Sequence, residues 1–253
     1  FSLVPDNVAL PLRTVWAAVR DQVGGEGPEV EDGRRLRAVL AERRTDSLTF
    51  FGRLSGEWDR LRHDLFGAQF TPLALLALLR PDWVIADLGC GTGNASEVLS
   101  PYVERVMAVD FSSPMLVAAR RRLDGFANIE FVEAPVERTG LPDRSIDAAV
   151  CVLLLHHVAD PGAVLREAAR VLRTDRGGGV LLVVDMVEHG REEYRRTMGH
   201  QHLGFSRERM LGLLAGAGLT GGTYVEVPGA PEAKGPGLFV ATGRLGMNER
   251  TGR

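Results

Sequence analysis

Apolar and polar positions along the chain change their rhythm twice. An extended piece, "FSLVP", opens it, and "VALPLRTVWAAVRDQV" follows with a helical texture. "GGEGPEV" breaks that helix, as glycine and proline do. A second helical pattern starts at Asp32, with Leu36 and Leu40 on one face. Phe51, Leu54, Trp58, Leu61 and Leu65 then recur at steps of three and four. Residues 1–68 therefore read as an α-helical region without a strand.

From Phe70 onward, apolar runs alternate with amphipathic stretches. "TPLALLALL" reads as a buried helix stopped at Arg80 and Pro81. Strands are expected at "WVIADL", "RVMAVDF", "IEFVEA", "SIDAAVCVLLL" and "GGGVLLVVDMV". Between and around them, helices are expected at "NASEVLSPYV", "SPMLVAARRRL" and "PGAVLREAARVL". Ser112 or Ser113 stands where a helix cap is needed, with Pro114 in the first turn. Near-continuous apolar strands suit a parallel sheet covered on both faces. "SRERMLGLLAGAGL" follows as a serine-capped helix with a glycine stop. "GGTYVEVP" and "GLFVATGRL" close the pattern as two strands near enough to pair antiparallel. The fold class expected is α/β: a doubly wound, mostly parallel sheet with a terminal antiparallel hairpin, preceded by helices.

Composition narrows the function classes. The chain has 253 residues, 45% hydrophobic and 25% charged, which is ordinary for a globular protein of this size. A net charge of -3 and a pI near 6.1 argue against direct nucleic-acid binding by this segment. The arginine clusters Arg34, Arg35, Arg37 and Arg120, Arg121, Arg122 sit among acids and read as solvated helix faces. Two cysteines, Cys90 and Cys151, form no CxxC pair, so neither a zinc framework nor a disulfide framework is expected. No apolar run is long enough for a membrane span. A reducing, cytoplasmic setting is the expectation.

The chemistry concentrates in "VIADLGCGTGNASEVLS". A strand ends in an acid, Asp87, and is followed by Gly89, Gly91 and Gly93. In an open α/β sheet that turn lies at the carboxyl edge, where ligands bind. Glycine there permits positive φ and lets a ligand approach the backbone. The spacing is GxGxG, one residue tighter than the GxGxxG dinucleotide fingerprint, which weighs against an NAD-dependent dehydrogenase. The next strand ends in Asp110, a carboxylate suited to a vicinal diol such as a ribose.

"DLGCGTG" resembles the first motif of class I S-adenosylmethionine-dependent methyltransferases. "VDFSSPMLVAARRR", "FVEAPVERTGLPDRSID", "CVLLLHHVADPGAVLREAARVLR" and "GGGVLLVVD" resemble the family's later segments in the same order. The resemblance covers residues 70 to 245. It implies a Rossmann-like domain over 69–245, a tail over 246–253, and S-adenosylmethionine as cofactor. The residues it points to for that cofactor are Asp87, Gly89, Cys90, Gly91, Gly93, Asp110, Phe111, Met115, Pro135, Val136 and Leu153. The family often has Asp where this chain has Pro135; Glu133, Glu137 or the Val136 backbone is then left to meet the adenine.

The chain's histidines are the candidate bases for an acceptor that must lose a proton. His156 and His157 follow the fourth strand; His189, His200 and His202 follow the fifth. His156 and His200 are the catalytic candidates, and the alternative is that each closes a strand or helix end. A ligand set of His189, Glu193 and His200 can be drawn, but its spacing is not diagnostic, and no metal is expected. A narrower resemblance joins "HGREEYRRTMGHQHLGFS" and "AERRTDSLTFFGRLSGEWDRLR" to methyltransferase domains fused to ArsR-type winged helices, and the central motifs to ubiquinone- and menaquinone-type enzymes. Two functions follow. One is methylation of a small molecule. The other is a sensor of S-adenosylmethionine or S-adenosylhomocysteine that would reach DNA only through a winged helix upstream of Phe1. The first residue, Phe1, fits a lost amino-terminal part or a tag remnant. Phe51 and Trp58 are expected to border the pocket, and the amino-terminal helices to offer a homodimer contact.

Overall fold

The structure is a computed structural model that describes residues 15, 31–40, 57–175, 177–229 and 232–246. The chain forms two compact units, residues 1–70 and 71–253. In the first, residues 31–40 are helical, with Leu36 and Leu40 exposed. Helix α1 (Trp58–Phe66) carries Trp58, Leu61 and Leu65, and at its end the rings of Phe66 and Phe70 meet edge-on with centroids 5.7 Å apart. Phe51 and Leu54 lie outside the described residues, and so does the expected contact of Phe51 with the pocket.

Helix α2 (Phe70–Leu75) starts at the last residue of the first unit, and a tight turn over Leu76–Leu78 follows it. The sequence predicted a buried helix here, yet none of these residues is buried, and Leu78 is 82% exposed. Six residues make fewer than two turns. A run that is apolar at nearly every position does not reveal which face, if any, is covered.

The sheet then builds in order: β1 (Val84–Leu88), α3 (Asn94–Leu99), β2 (Arg105–Asp110), α4 (Ser113–Arg122), β3 (Ile129–Glu133), β4 (Ala148–Val152), α5 (Pro161–Val171), β5 (Val180–Met186). After these come the short α6 (Glu193–Thr197), α7 (Arg207–Gly216), β6 (Thr220–Val227) and β7 (Leu238–Arg244). Strand order is β3-β2-β1-β4-β5-β7-β6. The first five strands pair parallel, and β7 runs antiparallel between β5 and β6. The predicted α/β class and antiparallel terminal pair are both present.

Alternation divides the core between two faces. Ile85, Val106, Ala108, Ala148 and Val150 pack with Leu116 and Ala119 of α4 and Leu123 just after it on one side. Ala86, Leu88, Val109, Ala149 and Cys151 pack on the other with Val164, Leu165 and Ala168 of α5 and Met210 and Leu214 of α7. Both faces are covered, which is why the strands read as continuous apolar runs. Helices α5 and α7 are capped by the side chains that precede them. The Asp160 carboxylate accepts from the Ala163 N–H, and the Ser206 hydroxyl from the Arg209 N–H. Ser112 caps α4 by position but makes no side-chain cap bond; its own N–H is drawn to Asp110 instead. The strand expected over "SIDAAVCVLLL" stops at Val152, because Leu153 turns to φ +53° and Leu155–His157 winds into a tight turn.

Candidate active site

Strands β1 and β4 are neighbours whose chains leave in opposite directions across the sheet, and the cleft outside their carboxyl ends is where open α/β folds bind ligands. The glycine turn fills that position. Gly89, Gly91 and Gly93 have φ of +70°, +53° and +83°. A Cβ on Gly89 would stand 2.5 Å from Leu154 Cδ1, and one on Gly93 2.4 Å from Leu123 Cδ1. A Cβ on Gly91 would meet nothing within 4 Å, so this residue presents bare backbone to open space. The turn is tied to β2 by the Gly89 and Cys90 N–H groups, which donate to the Val109 carbonyl at 2.8 and 2.9 Å.

Two acids hold the turn from opposite sides. The Asp110 carboxylate accepts from the Gly91 N–H at 2.8 Å through Oδ2 and from the Ser112 N–H at 2.8 Å through Oδ1. Each oxygen keeps a further lone pair for a ligand hydroxyl. Asp87 lies beneath. Its Oδ2 accepts from the Ser96 N–H at 3.0 Å and the Ser96 hydroxyl at 2.6 Å, joining the strand to α3. Burial pushes the Asp87 carboxyl up to about 6, against the two Ser96 bonds and with help from the Asp110 charge. Burial, with the Asp87 and Asp110 charges, pushes the Cys90 thiol up to about 12, so it stays protonated and is no nucleophile.

A cavity of about 840 Å³ opens above this turn. Gly89, Cys90 and Gly91 form its floor after β1; Asp110, Phe111 and Met115 form a wall after β2. Pro135, Val136 and Glu137 come from the loop after β3, and Leu153 and His157 from the turn after β4. Nine of the eleven residues predicted for the cofactor thus line one cavity. Asp87 and Gly93 do not: they sit under the turn and shape it. Of the two glutamates considered for the adenine end, Glu137 reaches the cavity wall and Glu133, on β3, does not. The loop after β3 is latched from below, where Glu167 of α5 accepts from the Thr139 N–H and hydroxyl, both at 2.7 Å, and pairs with Arg170 at 2.7 Å.

A second chamber of about 490 Å³ adjoins the first, sharing Leu153 and Met198 as a common wall. Met186, Tyr194, Val227 and Leu238 make it largely apolar, and among its described lining residues it holds one histidine, His200. His200 is buried, and its Nδ1 has no hydrogen-bond partner among the described residues. His156 lines neither chamber. It is buried behind them with its Nδ1 2.7 Å from Asp185 Oδ1, and its ring centroid lies 4.4 Å from that of His200. The Gln201 and His202 N–H groups donate to the His156 carbonyl at 2.8 and 3.1 Å, which is what brings the segment after β5 against the turn after β4. Burial, and then the neighbouring histidines, lower the proton affinity of His157 and His200, so both rings are neutral at pH 7. His189 and His202 have local work: His189 Nδ1 accepts from the Arg191 N–H at 3.2 Å, and His202 Nδ1 lies 3.1 Å from the Arg209 guanidinium. The drawn set of His189, Glu193 and His200 does not converge; among the described residues the group that does is His156, His157 and His200.

The sequence reading missed Asp185, Tyr194 and Met198. Asp185 carried a usable signal: like Asp87 and Asp110, it is an acid within or ending an apolar strand run. Tyr194 and Met198 carried none, since they belong to the short helix α6 and its end, whose path only the tertiary fold sets.

A family model described as "Methyltransferase domain" matches residues 86–183. The demethylmenaquinone methyltransferase of Clavibacter sepedonicus is 30% identical over 174 residues, 64% of this chain and 70% of that protein. The Bacillus subtilis protein named uncharacterized methyltransferase YcgJ is 33% identical over 108 residues, and the match spans 42% of either chain. The chain therefore spans less than half the length of that relative. Among solved structures, the S-adenosylmethionine dependent methyltransferase from Mesorhizobium loti superposes with a TM-score of 0.58 at 21% identity, over 70% of this chain and 97% of the other. At that identity the likeness carries the fold.

Proposed function

The chain belongs to the S-adenosylmethionine-dependent methyltransferases, and on that premise we propose that it methylates a small, largely apolar acceptor held in the chamber beside the cofactor cavity. The observation that carries the reading is the shared wall. Two cavities on one sheet edge meet at Leu153 and Met198, one built for a nucleoside and the other apolar with a single histidine.

The residues present fit the cofactor. The Asp110 carboxylate is held by two backbone bonds with acceptor capacity to spare for the ribose hydroxyls. Gly91 leaves the backbone open to close approach. Phe111 and Met115 offer apolar surface beside Asp110, and Pro135, Val136 and Glu137 offer the far end for the base. When bound, S-adenosylmethionine supplies an activated sulfonium methyl group. The protein's part is to align the acceptor and to exclude water. For an acceptor that must lose a proton, neutral His200 faces the acceptor chamber, and Asp185 fixes the ring of His156 behind it.

The domain proposal keeps 69–245 as the methyltransferase domain, 1–68 as a helical linker, lid or dimer contact, and 246–253 as a tail. Two free, buried cysteines suit a reducing cytoplasm, and among the described residues no helix is long and apolar enough to cross a membrane. The sensor alternative rests on the ArsR-type resemblance, and no observation among the described residues favours it.

The test is calorimetric titration with S-adenosylmethionine and S-adenosylhomocysteine. Wild type is expected to bind both with comparable affinity, and Asp110→Ala to lose at least tenfold. Absence of binding to wild type would remove the reading; a large preference for one form would move it toward a sensor, because a ligand shifts an equilibrium only through differential affinity.

A further inference from the structure

We propose that His156, His157 and His200 form a binding site for one borderline divalent transition-metal ion, of the zinc class, at the seam between the two chambers. Each of the three can place a ring nitrogen within 4.8 Å of the others. Their ring centroids lie 4.1, 4.4 and 5.2 Å apart. Bonds of about 2.0–2.1 Å in a tetrahedral site put ligand nitrogens roughly 3.3 Å apart. Closing the gap takes movements of about 1 Å per ring, within ordinary thermal amplitude.

Two observations beyond proximity point to a ligand. The first is the orphaned nitrogen. His200 Nδ1 is buried and, among the described residues, without a partner, an arrangement that wastes a polar group unless something else occupies its lone pair. The second is the support of His156. Its Nδ1 stands 2.7 Å from Asp185 Oδ1, and the same carboxylate accepts from the Met186 N–H at 2.7 Å, so the acid is itself fixed. A carboxylate behind one ring nitrogen orients the other outward and raises its basicity, as behind metal-bound histidines.

The donor set selects the ion. Three imidazoles without a direct carboxylate suit zinc, cobalt, nickel or copper, and not magnesium or calcium, which need oxygen ligands. Three protein ligands leave a position open. His157 lines the cofactor cavity and His200 the apolar chamber, so that position lies between methyl donor and acceptor. An acceptor hydroxyl bound there would lose its proton to solvent more readily, because the ion stabilises the oxyanion, and His200 would then act as a ligand in place of the base role it has without the ion. That role rests on the methyl-transfer reading; ion binding itself does not.

The experiment uses the full chain, freed of any affinity tag and stripped with a chelator, then titrated with Co²⁺ and with Zn²⁺. Uptake is read by calorimetry and by the visible absorption of low-coordinate cobalt. The expected result is one ion per chain, with affinity falling at least 100-fold in His200→Ala and in His157→Ala, and about 10–100-fold in Asp185→Asn. Circular dichroism checks that each variant is folded. His157 is exposed, so its variant carries the test if His200→Ala does not fold. Asp110→Ala, expected to lose the cofactor, is expected to keep the metal, which separates this proposal from the cofactor reading. Failure of wild type to take up a stoichiometric ion, or uptake unchanged in the folded histidine variants, overturns it.

Discussion

At the residue scale, the three glycines of the turn do different work although they share positive φ. An alanine at Gly91 suffers the left-handed backbone, at about 1–2 kcal/mol, but meets no neighbour. Its methyl points into open space at the cavity floor. Gly91→Ala is therefore expected to melt within a few degrees of wild type while binding S-adenosylmethionine at least tenfold more weakly. Gly93→Ala carries the same backbone strain and also drives its methyl to 2.4 Å from Leu123, a buried side chain. Overpacking of that kind adds about 1–3 kcal/mol, so its melting point falls further, while the molecules still folded bind the cofactor nearly normally. Paired melts and titrations check both; the reverse ranking would mean that the turn is seated differently. Asp87 yields a pH prediction. Its carboxyl is raised from 3.8 to about 6, so between those values the folded state holds a proton that the unfolded state has released. Folding stability from this group rises as pH falls from 7 toward 4. Asp87→Asn cannot titrate. The stability difference between wild type and Asp87→Asn, measured by denaturant titration without cofactor, is expected to move in favour of wild type by about 2–3 kcal/mol over that range. A flat difference would show that burial does not raise this acid.

At the scale of elements, α5 does more than cover the sheet. Glu167 on its buried side latches the loop after β3 by the Thr139 N–H and hydroxyl, and Arg170 clamps the same carboxylate. Burial alone would raise Glu167, but the bonds from Arg170 and Thr139 and the Arg170 charge outweigh it and hold the carboxyl near 2. A depressed carboxyl contributes stability above its ordinary 4.5 that is lost as pH falls toward 2. Glu167→Gln is expected to be less stable than wild type by on the order of 2–3 kcal/mol at pH 7, with the gap closing between about pH 4.5 and 2. Because the latch fixes the loop bearing Pro135 and Val136, the variant should also bind the cofactor more weakly. Elements of this kind were legible in the sequence where one physical rule acted alone. Strands β1, β2 and β5 announced themselves because both faces of the sheet are covered, and α7 because Ser206 precedes its apolar positions. The run over residues 71–79 misled, because apolar content signals burial only where something lies over it. Ser112 misled because Asp110, two residues back, holds the start of α4 through the Ser112 backbone.

At the scale of the whole molecule, the residues around the glycine turn were legible in the sequence and those of the apolar chamber were not. Gly89, Gly91 and Asp110 lie within 22 residues along two adjacent strands, so local rules and a known spacing bring them together. His157 and His200 are separated by the whole of α5, β5 and α6, and meet only because the Gln201 and His202 N–H groups fold back onto the His156 carbonyl. No periodicity encodes that meeting. The same fold places Leu153 between the chambers at φ +53°, a conformation that a leucine adopts at a cost of about 1–2 kcal/mol. Strain of this kind persists where the surrounding structure over-determines it, and it clusters at functional sites. Here the turn is over-determined by the Leu153 N–H, which donates to the Val184 carbonyl at 2.8 Å, and by the tight turn that follows. Leu153→Gly relieves the strain, offset by the greater chain entropy that glycine loses on folding, about 0.5–1 kcal/mol. Its melting point is expected to stay within a few degrees of wild type. On the proposed methyl-transfer reading, removing the side chain joins the two chambers and an acceptor would no longer be held in line with the methyl donor. Cofactor affinity should change less than threefold, while methyl transfer to any acceptor found by screening should fall at least tenfold in kcat, since misplacement by about 1 Å can lower rates 100-fold. Unchanged kcat with weakened cofactor binding would place Leu153 in the nucleoside wall alone, and the partition between donor and acceptor would then have to be carried by Met198.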